Sequence, residues 1–117
     1  MFNEKSININ FLNKSVKLDV KNTNTFTKFT GLMFKNKHYK NLLFEFRSET
    51  KTPIHSLFVF FPFLVLWLDS RNRVVERKIV KSFSLSVRPK KCFRKIVEIP
   101  INNRNKKIIN FLMELPF

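Results

Sequence analysis

Short alternations of apolar and polar residues open the chain. Ile7, Ile9 and Phe11 fall on one side of a two-residue period, and so do Val16, Leu18 and Val20, with Asn13-Lys14 as a turn-like break between them. That pattern predicts a hairpin of two half-buried strands. Lys21-Asn22-Thr23-Asn24 reads as a polar loop, and Phe26, Phe29 and Met33 recur at helical spacing, predicting a short helical turn over Thr25–Met33. Leu42–Phe46 is a compact apolar strand candidate. From Thr52 to Leu68 there is no formal charge at all, and Pro62 divides this run into about Ile54–Phe61 and Phe63–Asp69. Both pieces have strand length. Ser70-Arg71-Asn72-Arg73 is a turn, Val74–Val80 and Lys95–Ile99 are further strands, and Ile108, Ile109, Leu112 and Leu115 mark one face of a helix over Lys106–Leu115.

The uncharged run could be a membrane segment or the centre of a core. A spanning helix needs about 20 mostly apolar residues. This run has 17, with Pro62 inside it, and a proline in mid-helix costs about 3 kcal/mol. Aromatic and β-branched residues fill it, and unbroken apolar runs are typical of strands covered on both faces. The run therefore predicts two adjacent core strands and no integral membrane segment.

Composition supports that reading. The chain has no Ala and one Gly, and Phe, Ile, Val, Asn and Lys dominate its 117 residues. Ala is the strongest helix former, so its absence beside 15 Phe favours pleated structure. A chain of this length has room for one domain, taken here as residues 1–117. Cys92 is alone, which excludes an internal disulfide and suits a reducing cytoplasm. The N-terminus lacks the basic-then-apolar layout of an export signal, so a cytoplasmic location is expected.

Charge narrows the function classes. The net charge is +15, and the basic residues are densest from Arg71 to Val97, where Glu76 is the one acidic residue. Arg88, Lys90, Lys91, Arg94 and Lys95 form the tightest group, so an anion or nucleic-acid patch is expected there, with Phe83 or Phe93 as a stacking face if exposed. Lys, Asn, Ile and Phe are also over-used by AT-rich genomes, so a solvated basic face is the competing explanation. Catalytic material is thin. Cys92 and His55 carry no local motif, His38, His55 and the carboxylates lack ligand spacing, and one glycine cannot build a phosphate-cradling loop. No catalytic residue, cofactor or metal ligand is assigned. Asp69 ends a strand, where capping a turn is its expected role.

Several segments, in order, resemble domain-of-unknown-function family 192. Gly31-Leu32-Met33-Phe34-Lys35 resembles its G-L-M-x-R signature, and Leu42-Leu43-Phe44-Glu45-Phe46 its G-M-L-F-x-F strand. Pro62–Asp69 resembles P-L-D-I-x-F-L-D, Val74-Val75-Glu76 the strand that follows, and Val97-Glu98-Ile99-Pro100 resembles L-E-L-P. The likeness runs from about Leu12 to Ile109. It implies a mainly β, compact antiparallel β-sandwich or jelly-roll-like domain with one or two short helices, and no reaction. Departures fall on polar positions. The family's Trp-Met-Lys-Asn-Thr is His55-Ser56-Leu57-Phe58-Val59, its central acid is Leu64, and its arginine is Lys35, which lacks the planar fork. The C-terminal G-I-x-x-G-D pattern is not evident.

Two functions follow as expectations. The first is a binding or accessory module for an acidic partner, nucleic acid or another polyanion, through Arg88, Lys90, Lys91, Arg94 and Lys95. The second is an enzyme or small-ligand binder using a family pocket near Lys35, His55 and Asp69. Peripheral attachment to anionic lipid is a third possibility.

Overall fold

The hairpin at the start forms as the alternation predicts, but its turn falls one residue earlier. β1 (Glu4–Phe11) pairs antiparallel with β2 (Lys14–Asn22), so Leu12-Asn13 make the turn. Both have positive φ, 53° and 60°, which is the backbone a two-residue hairpin turn needs to match strand twist. The structure is a computed structural model and describes residues 4–23, 32, 35–54, 56, 58–84 and 86–114. The helical turn expected over Thr25–Met33 lies, apart from Leu32, outside the described residues.

Four further strands follow: β3 (Leu42–Thr50), β4 (Phe63–Leu68), β5 (Val74–Val80) and β6 (Phe93–Pro100). All six join one sheet in the order β1-β2-β3-β6-β4-β5. Neighbours are antiparallel except β2 and β3, which meet in parallel through Lys21–Leu42 and Asn22–Leu43. The sheet curls so that β1 reaches the turn before β5: Asn10 N donates to Asn72 O at 2.9 Å and Asn10 Nδ2 to Arg71 O at 2.9 Å. The expectation of a mainly β, single-domain protein with a short helix is met, as one curled six-stranded sheet carrying α1 (Lys106–Leu112).

β4 shows why the uncharged run folds as it does. Each of its six residues is buried. Leu64, Leu66 and Leu68 enter one core with Ile7, Ile9, Leu18, Val20, Leu43, Val97 and Ile99, onto which α1 lays Ile109 and Leu112. Phe63, Val65 and Trp67 enter a second core on the opposite face, with Leu42, Phe44 and Ile96. A strand covered on both sides has no position for a polar residue.

The second core is roofed by loops, and here the structure corrects the sequence reading. None of the described residues of Ile54–Phe61 lies in a strand; Ile54 makes an isolated antiparallel bridge to Val87. Val59 and Phe61 point into the core, whereas Phe58 and Phe60 are 45% and 59% exposed. Among the described residues no helix is long and apolar enough to cross a membrane.

Candidate functional site

Arg88, Lys90 and Lys91 lie on the loop entering β6, and all are exposed. No hydrogen bond or ion pair of their side chains is found among the described residues. Their loop is pinned instead through its backbone, Lys90 N donating to Glu76 Oε1 at 2.9 Å. Arg94 and Lys95 are different. They are adjacent on β6 and bond to different neighbouring elements. Arg94 Nε donates to Phe46 O at 3.1 Å, and Lys95 Nζ donates to Asn72 Oδ1 at 2.6 Å. Both are half-buried and committed to neighbouring elements. The five-residue group is thus divided into three open cations and two held ones.

The loop carrying Arg88 runs beside the loop after β3. Ile54 N donates to Val87 O at 2.9 Å and Val87 N to Ile54 O at 2.7 Å. Further along, Ser56 is fully buried and acts as the joint. Its N–H donates to Ser84 O at 2.9 Å, and its carbonyl accepts from Phe83 N at 2.7 Å and from Val59 N at 3.2 Å. Its hydroxyl donates to Lys81 O at 2.6 Å and accepts from Ser84 N at 2.7 Å. Across the paired loops alternate residues point inward, Val59, Phe61, Val87 and Pro89, while Phe58, Phe60, Arg88 and Lys90 point out. Phe83 is 57% exposed and meets Phe60 edge-to-face, with centroids 5.5 Å apart at 75°. Of the two phenylalanines singled out as stacking faces, Phe83 is open and Phe93 is buried. Cys92, beside Phe93, is exposed as a free thiol.

Of the residues grouped by the family resemblance, Lys35 and Asp69 are described, and each has its own set of contacts. Lys35 is exposed before β3, its ammonium 5.0 Å from the Tyr39 ring centroid. Lys21 Nζ donates to the Tyr39 hydroxyl at 3.0 Å, and this bond, helped by the charges of Lys21, Lys35 and Lys40, holds the phenol below its ordinary pKa. Asp69 sits beyond the far end of β4. Its Oδ1 accepts from Arg71 N and Arg73 N, each at 2.9 Å, and its Oδ2 accepts from Arg73 Nε at 2.7 Å. Burial pulls this carboxyl up, but the Arg73 and Arg71 bonds outweigh it and hold it below the usual carboxylate range. Lys35 precedes β3, whose Leu42 pairs with Glu98, and Asp69 follows Leu68, which pairs with Lys95. His55 lies outside the described residues.

Sequence reasoning passed over Glu98. It stands on β6 opposite Leu42 and Val65, on the face of the second core, and is only 6% exposed. Burial pushes its carboxyl up to about 8, so it is protonated at neutral pH. The signal was present in Val97-Glu98-Ile99-Pro100, an acid enclosed by apolar neighbours on a strand. A broad groove of about 1080 Å³ was equally hidden, since its walls come from distant segments: Lys5, Lys17 and Asp19 on the hairpin, Lys40 and Asn41 before β3, and Arg104 and Lys107 around α1.

No family model matches the chain. Over 85 residues, 70% of its length, it is 39% identical to the UPF0127 protein TK1120 of Thermococcus kodakarensis. The chain covers 54% of that protein, about half the length of the curated relative it matches. The fold is similar to that of a Sinorhizobium meliloti protein provisionally named a transcription regulator, with TM-score 0.77, 12% identity, and coverage of 92% of this chain and 87% of the other. A Novosphingobium aromaticivorans protein of unknown function is similar at TM-score 0.73 and 10% identity, over 90% of this chain and 78% of its own. At those identities the likeness concerns the fold. The sequence relative supports placing the chain with protein families to which no activity is assigned.

Proposed function

We propose that this chain is a divergent member of domain-of-unknown-function family 192 that serves as a binding or accessory module for an acidic partner, nucleic acid or another polyanion. The observation that carries the partner is the separation within the basic segment. Arg88, Lys90 and Lys91 are exposed on a loop whose backbone is fixed by Glu76, while Arg94 and Lys95 brace that loop's strand against Phe46 and Asn72. Open cations on a fixed backbone lose little freedom when they meet phosphates, whereas cations already hydrogen-bonded must exchange one partner for another. The ordered motif matches and the 39% identical relative support the family assignment. For the alternative, an enzyme or small-ligand binder with a pocket near Lys35, His55 and Asp69, the structure gives Lys35 a contact with Tyr39 and Asp69 a set of bonds within its own turn.

The test is the salt dependence of binding to a fluorescein-labelled oligonucleotide and to heparin. Each phosphate contact contributes a slope of roughly 0.7–0.9 in log K against log salt. Replacing Arg88, Lys90 and Lys91 together by Ala should flatten the slope by roughly 2–3 while leaving the melting temperature unchanged. An unaltered slope, or no binding of the parent protein at low salt, would remove the reading.

A further inference from the structure

We infer that the outward row formed by Phe60 and Phe83 and continued by Arg88 and Lys90 binds single-stranded nucleic acid, the rings stacking on unpaired bases while the cations follow the phosphates. This rests on the polyanion reading above and names its substrate class.

Three observations carry it. First, the exposure of the rings is built rather than incidental. Phe83 has φ of 63°, a left-handed conformation that a bulky residue adopts only at a cost in backbone strain. The buried Ser56 holds it there, accepting from Phe83 N and Ser84 N and donating to Lys81 O. The same joint accepts from Val59 N, which fixes the start of the segment bearing Phe60. Local strain maintained by a dedicated hydrogen-bonded residue is a mark of a functional surface.

Second, the order of the groups is linear. The bridge between Ile54 and Val87 separates the aromatic end of the paired loops from the basic end. Four residues part Phe83 from Arg88 in the chain, a separation of at most about 17 Å at the rise of a strand. A polymer with bases and phosphates in sequence can occupy both ends together. A lipid surface instead favours cations ringed around an apolar tip, and interfacial anchors are typically Trp and Tyr rather than Phe.

Third, the segment that bears the row is basic throughout, and the carboxylate that reaches it, Glu76, accepts from the Lys90 N–H. Between Arg77 and Val97 the chain carries no acidic residue, and Lys81, at the aromatic end, is itself exposed. A duplex would present phosphates to Arg88 and Lys90 but would keep its bases stacked away from the rings. Unpaired bases are the nucleic-acid surface that uses both halves, and stacking on an aromatic ring is tolerant of sequence.

The experiment measures anisotropy of a labelled twelve-residue oligothymidine, a duplex of the same length, and heparin as a polyanion without bases. Proteins compared are the parent chain, the double variant Phe60→Ala with Phe83→Ala, and the double variant Phe60→Tyr with Phe83→Tyr, each checked by thermal melting. Oligothymidine affinity should fall roughly tenfold or more with Ala and return with Tyr, while heparin affinity stays level in all three. If the Ala pair weakens heparin as much as oligothymidine, or if the duplex binds as tightly as the single strand, the base-stacking inference is overturned and the polyanion reading survives. If none of the three probes binds at 50 mM salt, the polyanion reading itself has failed. Sedimentation with phosphatidylserine vesicles that the Ala pair abolishes, without a change in oligothymidine affinity, would assign the rings to a lipid surface and overturn the inference.

Discussion

The side-chain amide of Asn105 donates to Asn41 Oδ1 at 3.0 Å, and both residues are buried. Asn105 immediately precedes α1, where an asparagine would ordinarily turn its side chain onto the first helical N–H groups. Here it makes no cap and donates inward, to Asn41 and to Pro100 O at 2.8 Å. Asn41 in turn donates to Asp19 O at 3.1 Å and accepts Lys21 N on its own carbonyl at 2.7 Å. One amide pair therefore ties the hairpin, the entry to β3 and the start of α1 together. Replacing Asn105 by Leu leaves two buried acceptors unpaired and should cost roughly 2–4 kcal/mol in urea denaturation. Replacing both Asn41 and Asn105 by Leu should cost clearly less than the sum of the single changes.

Asp69 performs a comparable task for the turn between β4 and β5. Its three accepted bonds and the positive φ of Asn72, 62°, define the reversal onto which β1 docks through Asn10. Asp69→Ala should destabilise by about 1–3 kcal/mol, and Asn72→Val by a similar amount because a β-branched residue resists that φ. The carboxyl is held below its unfolded pKa, so its contribution is present above about pH 4 and is lost as pH falls through the lower folded value. Asp69→Ala should accordingly reduce the steepness of acid unfolding, followed by circular dichroism.

How far the sequence disclosed these features depended on whether inside and outside differ in polarity. β5 is read to the residue from Val74 to Val80, and β4 to within one, since turns and charges bound them. The outward position of Phe58 and Phe60 was hidden because inward Val59 and Phe61 are apolar as well, so alternation leaves no trace in hydropathy. The partners that hold Arg94 and Lys95 lay beyond any local pattern, because Phe46 and Asn72 are 48 and 23 positions away. The Asn41–Asn105 contact spans 64 positions and the groove beside it draws on four segments, information no local pattern holds. The parallel contact of β2 with β3 was likewise out of reach, because it depends on the path of the chain between them.

Ser56 offers a prediction confined to one region. Ser56→Ala leaves Lys81 O short of one donor and Ser84 N without its 2.7 Å acceptor. A global loss of about 1–2 kcal/mol is expected, but the sharper readout is hydrogen exchange. Amides of Phe83, Ser84 and Val87 should exchange faster, while those of β4 and β6 keep the protection of the two cores. Phe83→Gly, which removes the left-handed penalty, should stabilise the same loops by up to about 1 kcal/mol. Opposite shifts in the two variants would show that the joint holds a strained ring in place.

Glu98 governs the last prediction. Its folded pKa, about 8, lies above the ordinary 4.5 because burial between Leu42 and Val65 disfavours the anion. Between those two values the folded chain holds a proton that the unfolded chain has released. Stability from this group is therefore intact below about pH 4.5, declines as pH rises towards 8, and levels off above it. The decline should amount to roughly 3–5 kcal/mol if no rearrangement lets water reach the carboxylate. Glu98→Gln keeps the shape without the titration, so its denaturation midpoint should be nearly flat over this range and exceed that of the parent protein at pH 8. A parent protein as stable at pH 8 as at pH 5 would mean that the carboxylate gains a compensating partner on ionising. The opposite dependence of Asp69 falls at lower pH, so a stability profile taken from pH 2 to 9 should rise first and then fall, with Glu98→Gln removing only the fall.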